Sequence, residues 1–431
     1  MKGKQKMKGI NEKGFGHHLL IIIVAVLAVG AAGFAGWKIY SAKKLDAKAE
    51  SSSVLGNGGE FIPLDPSRIM DTRNGNGGYN VAIPANGTYS LQVLGRGGVP
   101  AADVVAANFI ITAIKGSSSG FITAYPSGIS RPTTSSINFA ASQVIANSAT
   151  IKVGRDGKIN IFNGSSGNIN VALDVMGYYS DTNGTNGLRH ITQSQTRLLD
   201  TRTGVGGYRT VPAGGEVVVS VPDTLGTEAV EGMVATLNST SSGYLTVYPA
   251  DASRPNSSVL NFAPGQKIAN TMIVRTSSDK KVKIYNGSNG TVDILFDLVS
   301  VFGDRNRSNS SAWGKFVAID PIRIVDTRSN LGIVGQLQYG QFSKYNVYGV
   351  MGLPNNLDTI AANTTIIQPQ ADGYICNCSL FNVSSMNFAK GQTIASMMNV
   401  PVYNPGYATV YNGSKLPTHL AVDVYGYFVY K

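Results

Sequence analysis

The pattern of apolar and polar positions divides the chain into two unlike parts. From Leu19 to Trp37 the sequence LLIIIVAVLAVGAAGFAGW runs for 19 residues without a charge. After residue 59 the apolar residues come in short runs that alternate with polar ones, as in Ile122-Thr123-Ala124-Tyr125. Alternation with a period of two is typical of half-buried β-strands. The pattern therefore predicts one apolar helix followed by a β-protein with many turns.

The apolar run has the length of a membrane span, because 19 helical residues reach about 28 Å, close to the thickness of a bilayer core. We predict a basic cytoplasmic tail over residues 1–16, a transmembrane helix over 17–40 and a flexible stalk over 41–59. Five lysines precede the run and four follow it, which weakly favours a cytoplasmic N-terminus. The expected location is the cell membrane, with a single pass, lipid as a partner and the C-terminal part outside.

Two other interpretations of the N-terminus stay open. A cleaved signal peptide is the first, although the apolar run is longer than the roughly 7–15 residues of a signal-peptide core. The second is that Lys13-Gly14-Phe15 is faintly similar to the processing site of type IV prepilins, but Leu19 stands where that family has a glutamate.

The rest of the chain repeats one unit three times, and self-similarity at a long period defines the architecture. Three blocks recur in the same order, with the aspartates of the first block 129 and 126 positions apart. The first block has the pattern Arg-x-x-Asp-Thr-Arg and occurs at Arg68–Arg73, Arg197–Arg202 and Arg323–Arg328. The second block begins GFITAYP at Gly120, GYLTVYP at Gly243 and GYICNCS at Gly373. The third block is an Asn-Gly pair at 163–164, 286–287 and 412–413, and each pair is followed by an apolar run with one aspartate.

These blocks predict β-domain repeats at residues 60–181, 188–304 and 315–431. Eight to ten short strands in about 120 residues suit an antiparallel β-sandwich or jelly roll. Because the linkers are polar and rich in glycine or serine, we expect a string of separate domains, with closure about a pseudo-threefold axis as the alternative. Each Asn-Gly pair between apolar runs predicts a type I′ hairpin.

With these motifs the sequence resembles a repeated all-β domain of bacterial secreted and cell-surface proteins, whose pattern is R-x-x-D-T-R, then G-Y-L-T-V-Y-P, then D-V-x-G-Y-F. The resemblance covers nearly everything after the stalk. It implies a surface location and a non-catalytic, accessory role, and it supplies no catalytic residues. The third repeat departs from the pattern at Cys376-Asn377-Cys378.

Charge and composition narrow the function further. Only 14% of residues are charged, and of the net charge of +11 the first 50 residues carry 9 − 3 = +6. The remainder has no concentrated basic stripe of the kind that binds nucleic acid. We find no nucleophile–base–acid set and no phosphate loop, so we expect neither an enzyme nor a cofactor. Interaction through adhesion or envelope contact is the expected function, and a lectin-like module that binds cell-wall or host glycans is the alternative.

The recurring aspartates and arginines are the main candidate for a site. Since Asp174 lies in an apolar run, its carboxylate must be paired or hydrogen-bonded if it is buried. We predict a structural ion-pair network that joins the first and last blocks of each repeat, and we prefer it to a metal site because oxygen ligands do not recur after the first aspartate. Its members are Arg68, Asp71, Arg73 and Asp174; Arg197, Asp200, Arg202 and Asp297; and Arg323, Asp326, Arg328 and Asp423.

Aromatic and sulfur residues give weaker candidates. Tyr125 and Tyr248 each precede a proline and a polar loop, so they could stack on sugar rings, although strand aromatics are more often part of the core. The chain has two cysteines, Cys376 and Cys378. A strand places them about 6.6 Å apart, at the limit of a disulfide, so we expect two thiols, and two ligands are too few for a structural zinc site.

Overall fold

The computed structural model describes residues 58–181, 187–304, 314–377 and 384–430. Each repeat contains eight strands in the same order. Repeat 1 has β1 (Glu60–Asp71), β2 (Thr88–Gln92), β3 (Val104–Ile114), β4 (Gly120–Pro126), β5 (Ile137–Phe139), β6 (Val144–Lys152), β7 (Lys158–Asn163) and β8 (Asn170–Ser180). Repeat 2 has β9 (Leu188–Asp200), β10 (Glu216–Ser220), β11 (Thr227–Leu237), β12 (Gly243–Pro249), β13 (Leu260–Phe262), β14 (Ile268–Arg275), β15 (Lys281–Asn286) and β16 (Asp293–Asp304). Repeat 3 has β17 (Gly314–Asp326), β18 (Phe342–Asn346), β19 (Leu357–Ile367), β20 (Gly373–Cys376), β21 (Met386–Phe388), β22 (Ile394–Pro401), β23 (Tyr407–Asn412) and β24 (His419–Tyr430).

Every repeat is a sandwich of two four-stranded antiparallel layers. In repeat 1 the inner layer has the order β1-β8-β3-β6, and the outer layer has the order β2-β7-β4-β5. Repeats 2 and 3 show the same two orders. These two strand orders are those of an eight-stranded jelly roll. The prediction of a mostly β, antiparallel sandwich is confirmed.

The three inner layers join into one 12-stranded sheet. The joints lie at the beginnings of the first strands: Phe61 of β1 pairs with Leu188 of β9, His190 of β9 pairs with Gly314 of β17, and Gly59 pairs with Phe316 of β17. The three first strands therefore meet in a closed triangle, which relates the repeats by a pseudo-threefold axis.

The expectation of a string of separate domains is wrong. Residues 56–431 form one compact unit, and a single cluster of buried apolar residues draws on all three repeats. The physical reason is visible in β3, where residues 106–114 are buried on both alternating faces. One face packs on the repeat's own outer layer, and the other is covered by neighbouring repeats. A strand with both faces buried needs a partner on each side.

A closed ring of six aromatic side chains fills the axis. Phe61, His190 and Phe316 hold equivalent places on the first strands, and each contacts the last-strand aromatic of its own repeat and that of a neighbour. The last-strand members are Tyr179, Phe302 and Phe428, with centroid separations around the ring of 4.2–5.4 Å. Tilted rings at such distances are a favourable packing.

The ring also explains one sequence difference between the repeats. A Cβ added to Gly177 would lie 2.4 Å from the Phe61 ring, and one added to Gly426 would lie 2.2 Å from the Phe316 ring. The equivalent residue of repeat 2 is Ser300, and there the first-strand residue is His190. A larger ring thus accompanies glycine, and the smaller imidazole accompanies serine.

Next to the aromatic ring, one equivalent position carries a different charge in each repeat. Glu60 of repeat 1 accepts from Arg189 of repeat 2 at 3.1 Å and lies 3.5 Å from the Lys315 ammonium of repeat 3. All three are first-strand residues one position before the aromatic ring. Because only one of the three is acidic, the triad distinguishes the repeats and favours one arrangement of them around the axis.

The Asn-Gly pairs do not form type I′ hairpins, so that prediction is wrong. Asn163 ends β7 in the outer layer and the chain then crosses to β8 in the inner layer. The Asn163 amide donates to the carbonyls of Ile83, Pro84 and Gly167, which fixes the crossing. Gly164 is required for another reason: an added Cβ would lie 2.2 Å from the Phe121 ring. Repeats 2 and 3 show the same arrangement at Gly287 and Gly413.

The described residues contain no helix that is long and apolar enough to cross a membrane. The predicted tail, transmembrane helix and nearly all of the stalk lie outside the described residues, as does the faint prepilin-like site.

Candidate functional site

The structure brings the recurring arginines and aspartates of each repeat together. In repeat 1 the Arg68 guanidinium binds Asp174 of β8 through two hydrogen bonds of 2.8 and 2.9 Å and donates to Asp71 at 3.2 Å. Arg73 in turn binds both oxygens of Asp71, at 2.8 and 2.6 Å. Arg68 and Asp174 are paired across β1 and β8 beside a register shift, so the cluster fastens the first strand to the last.

The same geometry recurs in the other two repeats. Arg197 binds Asp297 at 2.6 and 3.0 Å, and Arg323 binds Asp423 at 2.7 and 2.9 Å. The outer pairs are Arg202 with Asp200, at 3.0 and 2.7 Å, and Arg328 with Asp326, at 2.9 and 2.6 Å. Two-point arginine–carboxylate bonds are strong and geometrically specific.

The threonine of each Asp-Thr-Arg block closes the same seam. The Thr72 hydroxyl donates to Asn170 at 2.9 Å and accepts from the Val171 amide at 3.0 Å. Thr201 and Thr327 accept equivalently from Ile294 and Leu420. Every polar residue of the motif therefore has a partner within its own repeat, and the whole motif acts as a fastening between the two ends of the jelly roll.

Electrostatics favours the ionised form of the outer aspartates. The hydrogen bonds from Arg73 lower the pKa of Asp71, with burial opposing them. Burial raises the pKa of Asp174, and the two bonds from Arg68 oppose that effect. The carboxylates face guanidinium groups rather than open space, and the described residues contain no cluster of three or more acidic, histidine or cysteine side chains that could hold a metal ion.

One aspartate of the network also contacts another repeat. Asp423 of repeat 3 accepts a hydrogen bond of 3.1 Å from the Ser135 amide of repeat 1, and Tyr425 lies 3.1 Å from the Ser136 hydroxyl. Asn147 and Asn363 join the same two repeats through a bond of 2.9 Å. The ion-pair network of repeat 3 is therefore hydrogen-bonded directly to repeat 1.

Tyr125 and Tyr248 do not offer a face to a sugar ring. Both project from the outer face of an outer layer, but they are only 6% and 2% exposed because the loop that follows each strand covers them. The Thr246 hydroxyl donates to the Ser257 carbonyl, which holds that loop to its strand, and the Tyr248 hydroxyl bonds to Glu216 of β10 in the same layer. The structure therefore contradicts these two residues as a sugar-stacking site.

The same covering loops bring arginines onto neighbouring aromatic rings, which sequence reasoning missed. The Arg131 guanidinium lies 4.0 Å from the centre of the Phe162 ring, and Arg254 lies 3.8 Å from that of Tyr285. A second ring, Phe121 or Tyr244, stands beside each at a centroid distance of 6.2 or 6.3 Å. The available signal was the triplet Ser-Arg-Pro, which occurs at 130–132 and again at 253–255.

These outer aromatic sites are open to solvent in repeat 2, where the Tyr244 side chain is 38% exposed. Arg131 and Arg254 are also exposed, and neither guanidinium has a hydrogen bond or an ion pair within the described part of the chain. Stacking fixes the plane of each guanidinium while its N–H donors stay available, which suits recognition of an oxygen-rich ligand.

Repeat 3 differs on this face. Tyr374 and Tyr411 keep the ring pair, at 6.1 Å, but the loop over them lies largely outside the described residues. Cys376 occupies the place of Thr246 and is disulfide-bonded. Cys378, the only other cysteine of the chain, is not among the described residues. The expectation of free thiols is therefore wrong for Cys376.

Comparison with known proteins gives no family. No family model matches the chain, and no curated protein does either. Several solved structures are similar to it, two of which are described here. One is titled as the atomic structure of Sulfolobus Turreted Icosahedral Virus, with 10% identity over 81% of this chain and 85% of that one, at a TM-score of 0.17. The other is titled as the triple jelly roll fold and turret assembly in an archaeal virus, with 10% identity over 86% and 91% of the two chains, at 0.16. At these TM-scores neither similarity carries information about function.

Proposed function

We propose that the chain is a membrane-anchored, non-catalytic surface protein whose three repeats act as one rigid interaction head. The observation that carries the proposal is the closed triangle of first strands, which makes the repeats a single body. The described chain enters that body next to its axis, where Gly59 exchanges two backbone hydrogen bonds with Phe316 of 2.7 and 2.9 Å. An apolar segment before residue 58 would anchor this body to the membrane and leave its three outer layers available for interaction.

The test is to express the full chain and a variant that lacks residues 2–40 in a bacterial host. The full chain should remain with the membranes after an alkaline carbonate wash and be degraded by protease added outside spheroplasts. The shortened variant should be released in soluble form. Recovery of the intact full chain in the cytosolic fraction would contradict the proposal.

A second candidate function is glycan recognition, and the outer aromatic site of repeat 2 favours it. Tyr244 supplies an exposed ring against which a sugar could stack, and Arg254 supplies unbonded N–H donors beside it. This replaces Tyr125 and Tyr248 as the sugar-facing residues.

A glycan array and a cell-wall pull-down with the detergent-solubilised full chain test this candidate. Tyr244→Ala and Arg254→Ala should each reduce retention at least tenfold, while Val81→Ala, which alters an exposed apolar residue of repeat 1, should not. Equal retention of all variants would contradict a glycan site at Tyr244 and Arg254.

A further inference from the structure

A small polar junction interrupts the apolar centre where the three repeats meet. Glu231 on β11 belongs to repeat 2, Asn108 on β3 to repeat 1 and Asn399 on β22 to repeat 3, and all three line one cavity of about 10 Å³. Its remaining lining residues are Ser148, Thr150, Thr271, Met272, Ile273, Met397 and Met398. A cavity of this size holds about one water molecule.

Glu231 is a buried acid without a basic partner at this junction. It is 2% exposed, and its carboxyl group accepts from the Ser300 hydroxyl at 2.7 Å and from the backbone amide of Asn399 at 2.8 Å. None of the residues lining the cavity carries a positive charge. A carboxylate taken out of water without a cation is unfavourable, so the neutral acid is preferred.

The other charged and titratable groups on the surrounding strands do not compensate the carboxylate. Arg275 at the end of β14 is bound to Asp65 and Asp251, and Lys152 at the end of β6 is bound to Asp320. Tyr179 on β8, Tyr430 on β24 and His190 on β9 are also titratable, and all three are buried or nearly so. Burial and, to a smaller extent, the Glu231 charge raise the pKa of Tyr179. Burial also raises the pKa of Tyr430, with hydrogen bonds to Thr192 and Thr359 opposing the shift and the charges of Asp358 and Glu231 adding to it, so both tyrosines stay neutral.

One polar atom of the junction has no hydrogen-bond partner among the described residues: the acceptor Oδ1 of Asn108, whose side chain is more than nine-tenths buried. A neutral carboxylic acid adds one O–H donor that a carboxylate lacks. Protonation of Glu231 thus supplies, directly or through one water molecule, the donor that the Asn108 oxygen needs.

We propose that this junction is a proton-binding site, in which Glu231 takes a proton from solvent and the resulting carboxylic acid donates toward Asn108, so that proton uptake strengthens the contact of the three repeats. Burial raises the pKa of Glu231 to about 7, although the bonds from Ser300 and Asn399 oppose the shift. Uptake and release therefore occur across neutral pH.

The experiment compares the full chain in detergent with Glu231→Gln, which keeps the shape and cannot ionise; its oxygen can accept from the Asn399 backbone amide and its NH2 group can donate to the Ser300 hydroxyl. Unfolding by urea is followed from pH 4.5 to pH 9. The ratio of the wild-type unfolding equilibrium constant to that of the variant should rise about tenfold per pH unit between pH 4.5 and pH 7, which is about 300-fold in total. Above pH 7 this ratio should stay constant. Glu228→Gln removes an exposed acid from the same strand and should keep the wild-type profile.

A second measurement does not depend on how well the variant folds. Infrared spectroscopy of the wild type should show a protonated carboxyl band that disappears with a midpoint near pH 7, and Asn108→Ala should move this midpoint to lower pH. The proposal is overturned if the wild type lacks such a band between pH 5 and pH 6, or if wild type and Glu231→Gln unfold with the same pH profile.

Discussion

Replacement of His190 by asparagine should remove an acid sensitivity that the aromatic ring builds into the head. His190 is buried, and its burial lowers the pKa of the imidazole to about 3. Its Nδ1 lies 2.8 Å from the Tyr430 hydroxyl, while Nε2 has no partner among the described residues. Asparagine can keep the bond at the Nδ1 position but cannot ionise.

The magnitude follows from linkage between protonation and folding. Because the folded-state pKa is depressed, the stability due to neutral His190 is complete above the unfolded pKa of about 6.5 and is lost as the pH falls toward 3. Each pH unit in that window corresponds to about 1.4 kcal/mol, so the wild type loses about 3 kcal/mol between pH 6.5 and pH 4 through this residue. Asparagine leaves part of the ring volume unfilled, which costs on the order of 3 kcal/mol at every pH.

Urea unfolding of the detergent-solubilised chain, followed by circular dichroism from pH 4 to pH 8, measures the difference. Wild type should be the more stable protein at pH 7, and its advantage should shrink by about 1.4 kcal/mol per unit below pH 6.5 until the two proteins are nearly equal at pH 4. Tyr430→Phe, which removes the hydrogen-bond partner but keeps the burial, should retain the wild-type slope. A difference between wild type and His190→Asn that does not change with pH would refute the reasoning.

Three further substitutions test the fastenings of the fold by thermal or urea unfolding. Asp174→Asn should destabilise the head by on the order of 3 kcal/mol, because it leaves the Arg68 charge without its main partner; an unchanged melting temperature together with lost ligand binding would instead assign Asp174 to a binding site. Gly287→Ala should cost about 1–3 kcal/mol because its Cβ would enter the Tyr244 ring, and Tyr244→Ala in the same chain should suppress most of that loss. Glu60→Gln should destabilise by on the order of 2 kcal/mol, since Arg189 loses its anion, and a stability equal to wild type would show that the triad does not fix the arrangement of the repeats.

The triplicated motifs carried enough information for the architecture of one repeat but not for the assembly of three. Alternation and turn residues indicated the sandwich, because a strand pattern depends on neighbours within two residues. The closure about the axis depends instead on residues such as Phe61 and Phe316, each of which also contacts an aromatic ring of another repeat. The sequence did contain one indication: residues 106–114 of β3 are apolar or small on both faces, which a freestanding sandwich does not need.

The candidate site residues were likewise predictable only in part. The network around Arg68 was predictable, because a buried carboxylate must be paired or hydrogen-bonded and the recurring arginine was nearby in the sequence. Tyr125 and Tyr248 could not be placed from alternation alone, since a residue on the outer face of a sheet is still buried when a loop lies over it. The Asn-Gly pairs were misjudged because Gly164 is needed for a close approach of the Phe121 ring rather than for a positive φ.

His190 and Glu231 titrate with opposite effects, and their combination yields a final prediction. Because the Glu231 pKa is raised, the free energy of unfolding falls by about 1.4 kcal/mol per pH unit as the pH rises from 4.5 to about 7. Because the His190 pKa is lowered, the free energy of unfolding increases by the same amount per unit as the pH rises from about 3 to 6.5. Between pH 4.5 and pH 6.5 the two contributions cancel, so together they leave the wild type without a net slope there. Relative to the wild type, His190→Asn should lose stability and Glu231→Gln should gain it as the pH rises through this window. The double variant should show neither trend. A slope in the double variant would mean that another buried group, such as Asp174, whose pKa burial raises, titrates in this range.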